Sequence, residues 1–267
     1  MASTVPLYRQ GLRNLYRAVG AAIAYEWRKR SSRNMLGLGV FTTFAEPILM
    51  IAALVIMRVW LRDRLPRFGH SAAVFYASGI LPYYLFQRLS SRGRANKYEA
   101  MQRLPRVTST DQLVAQISLD TSMFLAAALL AFTGLWLYGL EEAKPWSIGD
   151  CGIVLLLLTM LGVGVGLTNN AITYFVPVWT WFWSRISRML IFASGVFYIS
   201  DNMDDRLRKL IVWNPLISAI DWFRIGLYGS YPHYLMDKSY LIWWAFGALL
   251  IGVVAHMGSL RRTPRKR

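Results

Sequence analysis

The sequence lacks the residues from which most enzymatic and disulfide-stabilised sites are built. It contains a single cysteine, Cys151, which excludes an internal disulfide and a cysteine-based metal site. The three histidines, His70, His233 and His256, are isolated, and no HExxH pattern occurs. No GxxxxGK(S/T) phosphate loop is present either. The chain is therefore not a P-loop ATPase on its own, and we identify no catalytic residue, metal ligand or cofactor site in it.

Acidic residues are also scarce, since 14 aspartates and glutamates accompany 30 lysines and arginines, for a formal charge of +16. The basic residues fall mainly between apolar runs and at both chain ends, as membrane topology requires, so we expect no nucleic acid among the partners. One acidic cluster, Asp201, Asp204 and Asp205, is interpreted as a helix N-terminal cap. It is also the main support for an alternative, a membrane-embedded glycosyl or phosphate transferase.

Apolar runs are abundant, because 55% of the residues are hydrophobic. A membrane-spanning helix needs about 20 mostly apolar residues. Six stretches meet or approach this length, and we number them as spans one to six: residues 39–61, 72–89, 115–138, 152–175, 179–199 and 240–257. The sequence therefore predicts an all-α integral membrane protein with six transmembrane helices. We divide it into an N-terminal segment (1–38), the six-span domain (39–258) and a basic tail (259–267).

The lysines and arginines are distributed unequally between the two sides of this arrangement. Twenty of the thirty lie on the side that holds both chain ends. Cytoplasmic segments of membrane proteins are enriched in these residues, so both termini are predicted to be cytoplasmic.

Two predicted cytoplasmic segments have helical patterns. Apolar residues recur at helical spacing from Leu15 to Trp27, beside a row of arginines, which predicts an interfacial amphipathic helix or, alternatively, an ordinary topology signal. A short helix is also predicted over residues 96–104, ended by Pro105. This second segment is either a docking element or a solvated loop. Its candidate coupling residues are Asn96, Lys97, Glu99 and Arg103.

The stretch between spans five and six contains two short helical patterns, over residues 204–213 and 216–228. Asn214 and Pro215 form an N-cap and N1 pair between them. Each pattern is too short to cross the membrane, which favours a re-entrant helical pair, the alternative being a surface loop. Asp221 and Arg224, three residues apart, are expected to form an ion pair.

Ionisable residues inside the spans cost free energy unless they are paired or hydrated. Glu46 in span one, Asp120 in span three, and Arg185 with Arg188 in span five lie at a similar predicted depth. They predict an intramembrane polar layer in which the acids balance the arginines, or in which the arginines face an acidic substrate. The alternative is that these groups reach interfacial water.

Aromatic residues and glycines add two more patterns. Tyr76 and Tyr84 share a face of span two, with Tyr83 beside them, and are candidates for sliding contacts with sugar rings or for an interfacial aromatic belt. Gly162 and Gly166 in span four have GxxxG spacing, which predicts close packing against another helix.

Four runs of residues resemble one family. FAEPILM (residues 44–50), SGIL (78–81), ASGVFYISDNM (193–203) and WNPLISAIDWFRIGLYG (213–229) are similar to the membrane subunit of bacterial ABC exporters for capsular polysaccharide. O-antigen and teichoic-acid exporters share much of this pattern. The segment WRKRSSRNMLG (27–37) matches it only loosely, and Arg185 and Arg188 are unusual within span five.

This resemblance implies an inner-membrane homodimer that binds two copies of a separate ATPase subunit, which holds ATP and magnesium. The N-terminal helix and residues 96–104 would contact the ATPase, and Asn214, Pro215, Asp221 and Arg224 would lie at the outer mouth of the path. The implied substrate is a lipid-linked polysaccharide, passed on by a periplasmic co-polymerase and an outer-membrane channel. An exporter of O-antigen, teichoic acid, another lipid or a drug, and a stand-alone channel, remain alternatives.

Overall fold

The computed structural model describes residues 20, 23–25, 27–28, 41–60, 68–91, 109–199, 205–232 and 236–262. These ranges contain helices and connecting turns but no strand, which confirms the all-α prediction for them. The helices are α1 (Phe41–Trp60), α2 (Ala72–Ser90), α3 (Ser109–Leu137), α4 (Ile148–Phe175), α5 (Trp179–Met189), α6 (Asp205–Ile211), α7 (Pro215–Tyr228) and α8 (Lys238–Arg262). A single 3₁₀ turn, Glu141–Ala143, joins α3 to α4.

Three helices are long and apolar enough to cross a membrane, namely α3, α4 and α8, over Leu113–Leu137, Ile148–Phe175 and Lys238–Ser259. They coincide with predicted spans three, four and six. Helices α1 and α2, of 20 and 19 residues, coincide with spans one and two, and Pro82 lies inside α2 without ending it. The count of six spans stays a prediction.

The predicted span over residues 179–199 is wrong as a continuous helix. Helix α5 has 11 residues, about 16 Å at the rise of an α-helix, and ends at Met189. The chain continues to Ser194 in turns whose amides bond to carbonyls three residues back. Gly195 then leaves helical geometry with φ +80°. Arg224 of α7 stabilises this irregular backbone, because its side chain donates hydrogen bonds to the carbonyls of Gly195, Val196 and Tyr198.

Residues 187–196 nevertheless lie beside the middle of α2 and run in the opposite direction. The Ser187 carbonyl accepts a hydrogen bond from the Tyr83 hydroxyl. Further along, the backbone of Val196 lies against Gly79, one turn nearer the start of α2. The chain therefore continues alongside α2 after α5 ends, although only residues 179–189 of the predicted span are α-helical.

The chain divides into two compact units, residues 1–44 with 95–124, and residues 45–94 with 125–267. In the first unit, Ile23 and Tyr25 pack against Ala115 of α3. The described residues 20, 23–25 and 27–28 are helical, and the other residues of the predicted amphipathic helix lie outside the described part. The coupling residues of segment 96–104 and the end of the basic tail, 263–267, also lie outside them.

Helix α4 is central to the second unit, where it packs against α2, α5, α7 and α8. A Cβ on Gly162 would meet the Leu89 side chain of α2, and one on Gly166 would meet the Leu89 carbonyl. Gly164 faces the other way, and its backbone touches Gly252 of α8. The predicted close packing at Gly162 and Gly166 is confirmed, and the helix uses a second glycine face for α8.

Glu142 links the 3₁₀ turn to the start of α2. Its carboxylate accepts the backbone N–H groups of His70 and Ser71, at 2.5 and 3.2 Å. Ser71 is the N-cap of α2, and its own side chain accepts from Val74 N–H. The negative charge therefore lies at the positive end of the α2 dipole and bonds amides just before the first turn.

Glu142→Ala should destabilise the protein by about 1–2 kcal/mol, because two amides at the start of α2 lose their acceptor. The measurement is the thermal unfolding midpoint of the detergent-solubilised protein. Glu141→Ala is the matched control, because Glu141 is exposed and its substitution removes the same charge from the same turn. Equal midpoints for the two variants would contradict a capping role for Glu142.

Candidate functional site

Helix α7 begins and ends where its sequence predicts. The Asn214 side chain accepts the Leu216 N–H at 3.1 Å, and Pro215 occupies the first helical position. Gly229 ends the helix with φ +74°, a conformation that residues with a Cβ adopt rarely. The N-cap and N1 prediction is confirmed. The Asn214 amide also donates to the Ala193 carbonyl at 2.8 Å, which joins α7 to the turns after α5.

Hydrogen bonds hold α7 across the N-terminal ends of α4 and α8. The connecting bonds are Trp146 N–H to the Leu227 carbonyl at 3.1 Å, Trp222 Nε1 to Asp150 Oδ1 at 2.9 Å, and Asp237 N–H to Ser218 Oγ at 3.4 Å. Because α4 and α8 both start at this end, α7 belongs to the side that the sequence predicts to be extracytoplasmic. The deeper insertion implied by a re-entrant pair stays a prediction.

Arg224 of α7 is completely buried. Its guanidinium is surrounded mainly by backbone carbonyls, and we call this arrangement the Arg224 cage. The acceptors are the carbonyls of Gly195 (2.9 Å), Val196 (2.9 Å), Tyr198 (3.4 Å) and Phe75 (3.5 Å), the Ser78 hydroxyl (3.3 Å) and the Tyr231 hydroxyl (3.0 Å). The Phe75 ring lies 4.1 Å from the guanidinium carbon and adds a cation–π contact.

The cage explains the irregular backbone after α5. A chain that leaves helical geometry in an apolar environment exposes carbonyls without partners, and each costs free energy. The guanidinium has five N–H donors in a fixed plane, so one side chain satisfies several carbonyls together. The Arg224 guanidinium thereby replaces the backbone N–H donors that the carbonyls of Gly195, Val196 and Tyr198 would have in a continuous helix.

Three of the sequence runs that carry the family resemblance meet in this cage. Ser78 and Gly79 come from SGIL, Gly195 and Val196 from ASGVFYISDNM, and Arg224 from the run that forms α7. A Cβ on Gly79 would lie 3.0 Å from Arg224 Nη2, so a small residue is needed there. The sequence alone showed these runs as separate motifs, whereas the structure makes them one site.

The ion pair between Asp221 and Arg224 stays a prediction. Both residues are fully buried, but within the described part the hydrogen bonds of Arg224 go to carbonyls and hydroxyls. The residue that sequence reasoning missed as a partner is Tyr231, seven residues after Arg224.

The predicted polar layer is only partly within the described residues. Arg185 and Arg188 are exposed on α5, where Arg185 lies over the Trp181 ring at 5.2 Å and Arg188 donates to a carbonyl of its own helix. Asp120 is buried in the first unit, and the Glu46 side chain lies outside the described residues. The layer stays a prediction.

The tyrosines predicted to contact sugar lie mostly inside the packed unit. Tyr76 and Tyr83 are 7% and 1% exposed, and Tyr84 is half-buried. Tyr83 hydrogen-bonds the Ser187 carbonyl and so joins α2 to α5. Their role in a translocation path stays a prediction. Among the described residues, no three histidine, cysteine or acidic side chains are grouped to hold a metal ion.

Comparison with known proteins finds relatives that are similar to this chain over most of its length. No protein-family model matches the chain. The chain is 24% identical over 240 residues to the capsule polysaccharide export inner-membrane protein CtrC of Neisseria meningitidis, covering 89% of each protein. It is 24% identical over 250 residues, 92% of each, to BexB of Haemophilus influenzae, which has the same description.

A third relative is the polysialic acid transport protein KpsM of Escherichia coli, 22% identical over 188 residues, 70% of this chain and 72% of that protein. The resemblance predicted from the sequence runs is therefore confirmed. Over most of its length, the chain is similar to the inner-membrane proteins of bacterial capsule polysaccharide export.

Proposed function

We propose that the chain is the permease subunit of an ABC exporter that moves lipid-linked capsular polysaccharide across the bacterial inner membrane. The observation that carries the proposal is the similarity to two capsule export inner-membrane proteins over about nine-tenths of the chain. The three apolar helices support a place in the membrane. The missing phosphate loop supports ATP hydrolysis by a partner subunit.

In this proposal the protein works as a homodimer with two ATPase subunits, and its termini face the cytoplasm. ATP and magnesium are held by the ATPase, which contacts the N-terminal helix and residues 96–104. A periplasmic co-polymerase and an outer-membrane channel receive the polymer. The dimer and each of these partners are inferred from the family resemblance.

The Arg224 cage has a mechanical role in this proposal. It joins α2, α7 and the end of the span-five segment through one buried side chain. Packed elements of this kind move as a body between discrete arrangements, because interiors resist continuous deformation. A displacement of α2 produced by ATP binding on the cytoplasmic side is therefore transmitted to α7 at the opposite end.

Deletion of the gene in its own bacterium should trap polysaccharide inside the cell. The measurement is staining of the polymer at the surface and in the cytoplasm, with a plasmid copy of the gene restoring surface polymer as the control. A tagged full-length chain should also copurify with a P-loop ATPase. Surface polymer at the normal level in the deletion strain would exclude the capsule assignment and favour another cargo. Purification without any ATPase would favour the channel alternative.

A further inference from the structure

A cleft of about 540 Å³ opens at the end of the second unit that the sequence predicts to be extracytoplasmic. It lies between the start of α2, the 3₁₀ turn and the end of α7. Its lining includes Phe68, Glu141, Lys144, Trp146 and Tyr228. A second depression, of 460 Å³, shares Phe68 and Ser230 with it. Volumes in this range accommodate small organic ligands.

Trp146 forms an exposed wall of the cleft. The residue is 80% exposed, and its backbone N–H donates to the Leu227 carbonyl. One side of the ring covers Gly229, where a Cβ would lie 2.9 Å from Trp146 Cγ. An indole that covers Gly229 on one side and is open on the other offers a flat apolar surface to a ligand.

Phe68 and Tyr228 give the cleft an ordered aromatic floor. The Phe68 ring meets Tyr228 and Tyr231 edge to face, with centroid distances of 5.3 and 5.0 Å. Burial raises the pKa of the Tyr228 hydroxyl, so this phenol is neutral at physiological pH. Tyr231 also belongs to the Arg224 cage, and the floor is therefore anchored to the buried part of the unit.

The charged side chains of the cleft differ in how accessible they are to a ligand. Glu142 uses its carboxylate to bond two backbone amides. Glu141 and Lys144, in contrast, are exposed at the rim. A carboxylate accepts hydrogen bonds from hydroxyl groups and an ammonium donates them. An aromatic face combined with such groups matches the chemistry of a sugar, which has apolar C–H faces and a ring of hydroxyls.

We propose that this cleft binds a few sugar residues of the exported glycan, with Trp146 stacking on a sugar face and Glu141 and Lys144 bonding its hydroxyls. The inference rests on the proposed export function, since that function places a polysaccharide on this side of the membrane. A general interfacial anchor is the competing role for Trp146. Trp243 of α8 provides the comparison, because it is 77% exposed and lies near the same end.

The test uses the full-length protein in lipid nanodiscs and oligosaccharides prepared by partial hydrolysis of the bacterium's own surface polysaccharide. Titration calorimetry should show that Trp146→Ala weakens binding at least about tenfold, whereas Trp146→Phe retains most of it and Trp243→Ala retains all of it. Export in cells is measured separately. Absence of oligosaccharide binding to the wild-type protein, with export intact, would contradict the sugar-binding role of the cleft but not the permease function. Equal losses in Trp146→Ala and Trp243→Ala would also contradict that sugar-binding role.

Discussion

Arg224→Met should leave little folded protein in the membrane. The methionine fills the space but donates no hydrogen bond. The buried carbonyls of Gly195 and Val196 therefore each lose a hydrogen bond of 2.9 Å. Each buried carbonyl left without a donor costs about 1–3 kcal/mol, and the loss of two such bonds is a large part of the stability of a domain. We expect a collapse of the thermal unfolding midpoint and loss of export in cells.

Arg224→Lys should fall between the wild type and Arg224→Met. Lysine keeps the charge and three donors but lacks the planar fork that reaches carbonyls on opposite sides. Arg206→Met is the control for removal of a cation, since Arg206 is exposed on α6. Size-exclusion chromatography after heating gives the stability of each purified variant, and surface staining gives export. If Arg224→Met has the same thermal unfolding midpoint as the wild type, then the cage does not stabilise the fold.

Gly164→Ala should separate α4 from α8 and destabilise the protein by about 1–3 kcal/mol, the cost typical of an overpacked contact. A Cβ at this position would lie less than 3.0 Å from the backbone of Ala248, and backbone atoms cannot rotate away as a side chain can. Gly164→Leu should be more damaging. Both effects are read as a fall in the thermal unfolding midpoint and in the yield of monodisperse protein.

Gly152→Ala is the matched control for this experiment. Gly152 lies on the same helix, and a Cβ there would meet nothing within 4 Å. Because alanine is a better helix former than glycine, this variant should be as stable as the wild type or slightly more stable. If Gly164→Ala also keeps the wild-type midpoint, then the close approach of α4 and α8 does not limit stability.

Several features were predictable because their causes are local in the sequence. Spans three, four and six appear as long, predominantly apolar runs, and the structure places apolar helices there. The start of α7 was predictable from Asn214 and Pro215, which are adjacent, and its end from Gly229. The glycine spacing in span four predicted a close contact, because positions 162 and 166 share one face of a helix.

Other features were not predictable because their causes are distant in the sequence. Residues 190–199 are apolar enough to continue α5, and the side chain that stabilises their irregular backbone is Arg224, 29 residues after Gly195. Glu142 bonds the amide of Ser71, 71 residues earlier, and Trp222 bonds Asp150, 72 residues earlier. No local pattern indicates which distant polar group will satisfy a given amide or carbonyl.

The class of this protein follows from its sequence: an α-helical membrane protein with apolar helices long enough to span a membrane, without a phosphate loop, and similar to capsule export inner-membrane proteins. These properties depend on composition, periodicity and short motifs. Only the folded chain shows that three of those motifs converge on Arg224 and that the fifth predicted span is a broken helix. The reason is that backbone groups removed from water must find partners, and only the folded arrangement of α2, α7 and residues 190–198 shows which side chain supplies them.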